Sequence, residues 1–171
     1  ARSFKEAQVA LEVGAGAAID PTQPGYDPDD WRDPFVFWCQ EQEEYLMLLG
    51  GRKAGPKTQQ TGRTVWYTSK DLKTWEFQGD FWAPDLYTMH EMPDVFYMDG
   101  WWYHIITEYS HRSKMVYRMS KSLQGPWLTP KDDAFDGRAY YAGRTFAMDG
   151  KRYLLGWVPT KVGDSDKGAF Q

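Results

Sequence analysis

The chain has 171 residues, of which 20 are lysine or arginine and 24 are aspartate or glutamate, so its formal net charge is −4. That charge argues against a basic nucleic-acid-binding surface, and no apolar run reaches the ~18 residues that a membrane helix needs. We therefore expect neither nucleic acid nor a membrane as a partner. The single cysteine, Cys39, excludes an internal disulfide and a cysteine-based zinc cluster. Aromatic residues make up 17% of the chain, which is typical of β-structure and of surfaces that stack on flat ligands.

Short strands separated by turn residues are predicted along the chain, without helical periodicity. Residues 1–30 are rich in glycine, alanine, proline and aspartate, which indicates loop structure. Segments rich in aromatic and branched residues then predict four strands, at 33–38, 44–49, 64–68 and 74–78. The basic segment at 52–57 is predicted to be a solvent-exposed loop of no functional consequence.

The same order of segments then recurs. Strands are predicted at 93–98, 101–107, 115–119 and 126–128, and a third copy begins with strands at 144–148 and 152–157. Asp-Gly pairs predict tight turns in the second and third copies, at 99–100 and 149–150. The pairs at 36–37, 95–96 and 145–146 align the copies about 50 to 60 residues apart, at or above the period of propeller blades.

Four strands in each repeat predict the blades of a β-propeller, and hence an all-β fold. We expect the tail of a preceding blade and a linker at 1–30, one blade at 31–88, a second at 89–130 and the start of the next at 131–171. Because two blades and part of another cannot close a ring, the chain is expected to be a fragment or to associate through its open blade faces. The alternative is an open three-sheet or sandwich domain that happens to repeat.

Two carboxylates are candidates for chemistry. Asp33, in Trp-Arg-Asp-Pro, and Glu91, in His-Glu-Met-Pro, are expected at equivalent places, at the entry to the innermost strand of successive blades. Two acids that converge on one axial pocket meet the requirement for cleaving a glycosidic bond, and burial or a second negative charge can raise the pKa of the acid. The alternative is that both sequences only form turns at strand starts.

The histidines and tryptophans give weaker signals. His90, His104 and His111 have spacings that place no two on one strand face, so we expect no metal site. Four tryptophans are candidate platforms for a sugar ring, although packing between blades is the more ordinary role: Trp82, Trp101, Trp102 and Trp157.

Five blocks, in order over nearly the whole chain from about residue 26 onward, resemble glycoside hydrolase family 32, the family of invertases, inulinases, levanases and other β-fructofuranosidases. The blocks are Trp-Arg-Asp-Pro-Phe-Val-Phe-Trp at 31–38, Phe-Trp-Ala-Pro at 81–84, His-Glu-Met-Pro-Asp-Val-Phe at 90–96, Phe-Asp-Gly-Arg-Ala-Tyr-Tyr-Ala-Gly-Arg-Thr at 135–145, and Leu-Gly-Trp-Val-Pro-Thr at 155–160. The resemblance implies a five-bladed β-propeller that cleaves terminal β-fructofuranosyl bonds with retention of configuration.

The resemblance also implies roles for individual residues. Glu91 would be the acid/base, and Asp33 would bind sugar hydroxyls and stabilise the transition state. Arg32 would help to hold the sugar. Three further residues match positions near the family's pocket: Asp136, Trp157 and Trp82. The expected partner is a fructose-containing saccharide, and no cofactor or metal is expected.

The chain departs from the family pattern in two ways. Met92 stands where the family usually has a cysteine after the acid/base glutamate. The Asn-Asp-Pro block that carries the family's nucleophile does not occur, and the nearest matches, Asp-Pro at 20–21 and 27–28, lie in the predicted linker. Because the covalent route needs a nucleophile, we expect the nucleophile's blade to be missing and the isolated chain to be inactive or nearly so.

Two other function classes stay open. A non-catalytic carbohydrate-binding propeller with a degenerate site would explain the missing nucleophile, and a structural propeller of another family would not need Glu91. The first residues lack the pattern of a signal peptide, and we expect the true N-terminus to lie upstream, so the compartment stays open.

Overall fold

A computed structural model describes residues 23–110, 114–135 and 140–158. These residues form nine β-strands, and no helix occurs among them, as the sequence predicts. Accordingly, the described part of the chain has no helix long and apolar enough to cross a membrane. The chain divides into two compact units, Ala1–His90 and Glu91–Gln171.

The first unit contains a four-stranded antiparallel sheet in which each strand pairs with the next along the chain. Its strands are β1 (Tyr26–Cys39), β2 (Glu44–Lys53), β3 (Gly62–Ser69) and β4 (Glu76–Trp82). Side chains alternate between faces of the sheet, and one face builds a core from Trp31, Met47, Leu49, Val65 and Tyr67. Burial of each such side chain contributes about 1.5–3 kcal/mol to stability.

The first strand begins earlier than the sequence predicts, because β1 starts at Tyr26 within residues expected to be loop. The prediction that the whole segment 52–57 is solvent-exposed is also wrong at its first residue. Arg52 is 3% exposed, and its guanidinium pairs with the carboxylates of Asp27 and Asp30. A buried cation is stabilised when its charge is matched, and these two aspartates supply the match from the early part of β1.

The second unit contains most of a three-stranded sheet and a two-stranded sheet, both in chain order. Their strands are β5 (Met89–Met98), β6 (Trp101–Tyr109), β7 (Lys114–Ser120), β8 (Tyr141–Met148) and β9 (Lys151–Trp157). Asp99-Gly100 and Asp149-Gly150 connect β5 to β6 and β8 to β9, and all four residues have positive φ. A two-residue hairpin turn of this kind needs positive φ at both positions, so the predicted Asp-Gly turns are confirmed.

The strand predicted at 126–128 does not form. The described residues show only an isolated bridge there, in which Leu128 and Met119 exchange backbone hydrogen bonds at 2.7 and 3.1 Å. Pro126 has no N–H to donate, so it cannot extend this bridge into a longer ladder.

His104 lies on β6 in the core of the second unit. Its Nδ1 donates to the backbone oxygen of Asp94 at 3.2 Å, and its ring packs 5.5 Å from that of Trp127. Burial lowers the pKa of His104 to about 3, against the hydrogen bond to Asp94, and the nearby charge of Arg118 lowers it further. His104 is therefore neutral in the folded protein near pH 7.

Acid is expected to destabilise the chain through His104. The unfolded chain protonates this histidine near pH 6.5 and the folded chain only near pH 3, so its contribution is complete above pH 6.5 and is lost as the pH falls toward 3. The expected slope is about 1.4 kcal/mol per pH unit, measured by urea unfolding at several pH values below neutrality. His104→Gln should flatten this slope. The comparison is made above about pH 4.5, because carboxyls with a lowered pKa, such as Asp30, also lose stability in more acidic solution. An unchanged slope in that variant would contradict the assignment.

Candidate functional site

The first strand of each sheet contains a residue with a left-handed backbone. These residues are Asp33 (φ 65°), Met92 (φ 49°) and Ala142 (φ 53°). Each lies at the same distance before the residue pair that aligns the three copies in the sequence. The pairing of β1 with β2 and of β8 with β9 shifts register across this step, which identifies a β-bulge. The left-handed residues therefore occupy the same position in each of the three copies that the sequence aligns.

Glu91 and Asp33 do not occupy equivalent places. Glu91 directly precedes the left-handed residue Met92, so it corresponds to Arg32, whereas Asp33 is itself the left-handed residue. The expectation of equivalent places is therefore wrong by one residue. The sequence carries the same offset, since Asp33 lies three residues before the aligned pair at 36–37 and Glu91 lies four residues before the pair at 95–96.

Asp30 organises the cations beside the first bulge. Its carboxylate is buried and accepts hydrogen bonds from Arg32 Nη1 at 3.0 Å and from Arg52 Nε at 2.7 Å, and Lys57 Nζ lies 2.9 Å away. Burial opposes its charged form, but these three cations outweigh burial and hold the pKa of Asp30 well below its usual range. Arg32, which the sequence predicts to hold the sugar, is thus oriented by an ion pair directly before Asp33.

Glu91 lies on β5, is 7% exposed, and follows a firmly held residue. The ring of His90 is fully buried, where Nε2 donates to the Leu86 oxygen at 3.3 Å and Nδ1 accepts from the Thr64 hydroxyl at 3.1 Å. A Cβ at Gly62 would lie 2.7 Å from this ring, so the site needs glycine there. Both ring nitrogens of His90 form hydrogen bonds within the protein, so this histidine has a structural role.

The other predicted binding residues lie in different surroundings. Trp82 is 9% exposed and its ring lies 4.9 Å from that of His90, which leaves little of the indole facing solvent. Trp157, at the end of β9, is 50% exposed. Asp136 lies outside the described residues. The sugar-binding roles of these three residues stay predictions.

Two residues that the sequence did not single out lie beside the segment after Glu91. Asp94 is fully buried on β5, and Arg144 on β8 contacts Met92 and Pro93. Burial raises the pKa of the Asp94 carboxyl, and a hydrogen bond from Thr145 and the charge of Arg144 act in the opposite direction. Asp94 lies in the family-like block at 90–96, and Arg144 lies in the block at 135–145. Membership of these blocks is the sequence feature that could have identified both residues.

No group of three or more histidine, cysteine, aspartate or glutamate side chains is arranged to hold a metal ion within 23–110, 114–135 and 140–158. His90 and His104 are buried in the fold, and His111 lies outside the described residues.

Comparisons with known proteins agree with the sheets and the sequence blocks. A levanbiose-producing levanase of Geobacillus stearothermophilus is 29% identical over 138 residues, which cover 75% of this chain and 29% of the levanase. A sucrose-6-phosphate hydrolase of Staphylococcus xylosus is 30% identical over 158 residues, covering 83% of this chain and 30% of the relative. The chain therefore spans less than a third of the length of these two relatives.

The fold also matches that of solved structures. The β-fructofuranosidase of glycoside hydrolase family 32 from Bombyx mori superposes with a TM-score of 0.61 at 24% identity, over 82% of this chain and 33% of that one. This confirms the predicted all-β propeller fold, while the number of five blades stays a prediction. The family description "Glycosyl hydrolases family 32 N-terminal domain" matches residues 12–168, nearly the whole chain. On that match, together with the ordered blocks around Asp33 and Glu91, the chain belongs to glycosyl hydrolase family 32.

Proposed function

We propose that the protein containing this chain hydrolyses terminal β-fructofuranosyl bonds of sucrose or fructans, with retention of configuration. The observation that carries the proposal is the family match over residues 12–168, which includes both the Arg-Asp-Pro bulge and Glu91. The relatives support the substrate class, since they are a levanase and a sucrose-6-phosphate hydrolase.

In the proposed reaction, Glu91 donates a proton to the oxygen that leaves the anomeric carbon. A carboxylate nucleophile attacks that carbon from the other face and forms a covalent fructosyl intermediate. Glu91 then accepts a proton from water as the water oxygen displaces the nucleophile. We place the nucleophile outside these 171 residues, because no Asn-Asp-Pro block occurs among them.

Asp33 has a different role in the proposal. Positive charge develops on the sugar ring in the transition state, and a fixed carboxylate nearby stabilises it. Arg32 would bind sugar hydroxyls in the orientation that its ion pair with Asp30 allows. Asp136, Trp157 and Trp82 stay candidate contacts of the saccharide.

A second candidate is a non-catalytic propeller that binds carbohydrate without cleaving it. This alternative would need no nucleophile, and the presence of Glu91 and Asp33 disfavours it.

One assay separates the two functions. The full-length protein and the purified 171-residue chain are each incubated with sucrose, inulin and levan, and released fructose is measured, with maltose as a control substrate. We expect the full-length protein to release fructose from at least one fructoside and the 171-residue chain to release almost none. Binding of a fructoside by calorimetry without fructose release would support the binding module. Robust turnover by the 171-residue chain that survives mutation of Asp20 and Asp27 would contradict the proposed external nucleophile.

A further inference from the structure

β8 contacts the backbone of the segment that follows Glu91. The guanidinium of Arg144 donates from Nη1 to the backbone oxygen of Pro93, and its Nη2 lies 4.0 Å from the sulfur of Met92. Met92 and Pro93 are the two residues that directly follow Glu91. One guanidinium from a neighbouring sheet therefore reaches both the left-handed residue of β5 and the proline that follows it.

The next residue of β5 is held as well. Asp94 is fully buried, and its Oδ2 accepts a hydrogen bond from the backbone N–H of Thr145 at 2.6 Å. Arg152 completes the cluster, since it donates to Thr145 Oγ1 at 2.9 Å and stacks 4.0 Å above the ring of Phe96. Two consecutive residues of β8 thus hold three consecutive residues of β5.

The left-handed step at Met92 needs this support for two reasons. Met92 has a φ of 49°, a left-handed conformation that costs a residue with a side chain roughly 1–2 kcal/mol. Pro93 has no N–H, so β5 cannot secure the step through a ladder hydrogen bond donated there. The local chain does not favour this conformation, and contacts from another strand stabilise it.

We propose that Arg144, together with Asp94, is a positioning residue that fixes the Glu91 carboxyl for proton transfer. This inference rests on the proposed acid/base role of Glu91. A general acid acts only within about 2.6–3.2 Å of the oxygen that it protonates. A displacement of about 1 Å can lower a rate on the order of 10²-fold. Arg144 acts through the backbone at 92–93 and not by touching the sugar.

The test compares two substrates in the full-length protein. The leaving group of sucrose is glucose, whose oxygen needs a proton from Glu91. The leaving group of para-nitrophenyl β-fructofuranoside is para-nitrophenolate, which is stable without a proton. We expect Arg144→Met to lower kcat/KM on sucrose by about 10- to 100-fold, and on the aryl fructoside by less than about threefold. The parameter kcat/KM covers only the steps up to the covalent intermediate, so the later role of Glu91 as a base does not enter.

The ratio of the two kcat/KM values is the deciding measurement, because loss of folded protein lowers both equally. Arg118→Met is the matched control. Arg118 is another buried guanidinium of the same unit and pairs with Asp133 at 2.8 Å, so its loss should change stability without changing the ratio. Arg144→Lys, which keeps the charge and one donor, should recover part of the ratio. This variant also keeps the test decisive where Arg144→Met does not fold.

An equal loss on both substrates in the Arg144 variants would overturn the positioning role. Adding Arg144→Met to Glu91→Gln should cause no further loss on sucrose, and a full additional loss would also overturn it. These outcomes are distinct from failure of the proposed function, which would appear as normal sucrose activity in Glu91→Gln alone.

Discussion

Glu91→Gln is expected to lower kcat/KM on sucrose by about 10²–10⁴-fold in the full-length protein, because glutamine cannot donate the proton that the leaving oxygen needs. The loss should be much smaller on para-nitrophenyl β-fructofuranoside, whose leaving group needs no proton. Glutamine has nearly the size of glutamate, so the buried position should accept it. The measurement is initial-rate kinetics on both substrates.

Glu108→Gln is the matched control for this change. Glu108 is also a buried glutamate of the second unit, on β6, but lies outside the five blocks that resemble the family. We expect it to alter stability without changing the ratio of rates on the two substrates. Sucrose activity of Glu91→Gln within about threefold of the unmodified protein would rule out the acid/base role.

Asp33→Asn is expected to lower kcat on sucrose by about 10²–10³-fold, the order found when one electrostatic stabiliser of a transition state is removed. Asparagine removes the negative charge but keeps the size of the side chain. It also tolerates the left-handed backbone (φ 65°) better than most residues, so the bulge should persist. The loss of activity should therefore arise from the missing charge and not from a changed backbone. Steady-state kinetics would measure kcat, and circular dichroism would check that the fold is unchanged.

A second left-handed aspartate provides the control for Asp33. Asp99 has a φ of 52° in the exposed turn between β5 and β6, and Asp99→Asn makes the same chemical change there. We expect no change in kcat from this control. Comparable kcat values for Asp33→Asn and the unmodified protein would refute a transition-state role for Asp33.

Local chemistry made several features predictable. The Asp-Gly pairs at 99–100 and 149–150 form the expected turns because aspartate and glycine both tolerate positive φ. Alternating aromatic and branched residues marked most of the strands, and the ordered blocks around Asp33 and Glu91 are sufficient to indicate the family. The prediction of a strand at 126–128 is wrong, because proline has no N–H and Pro126 therefore cannot donate a hydrogen bond to a neighbouring strand.

The sequence by itself determined the all-β repeat, the hairpin turns and the family, because each depends on neighbouring residues or on short ordered blocks. Only the tertiary structure decided the burial of Arg52 against Asp30 and the contact of Arg144 with Pro93. The physical reason is distance along the chain. Such contacts join residues that lie on different strands, and the alternation of side chains within one strand does not encode which residue of another strand will lie opposite.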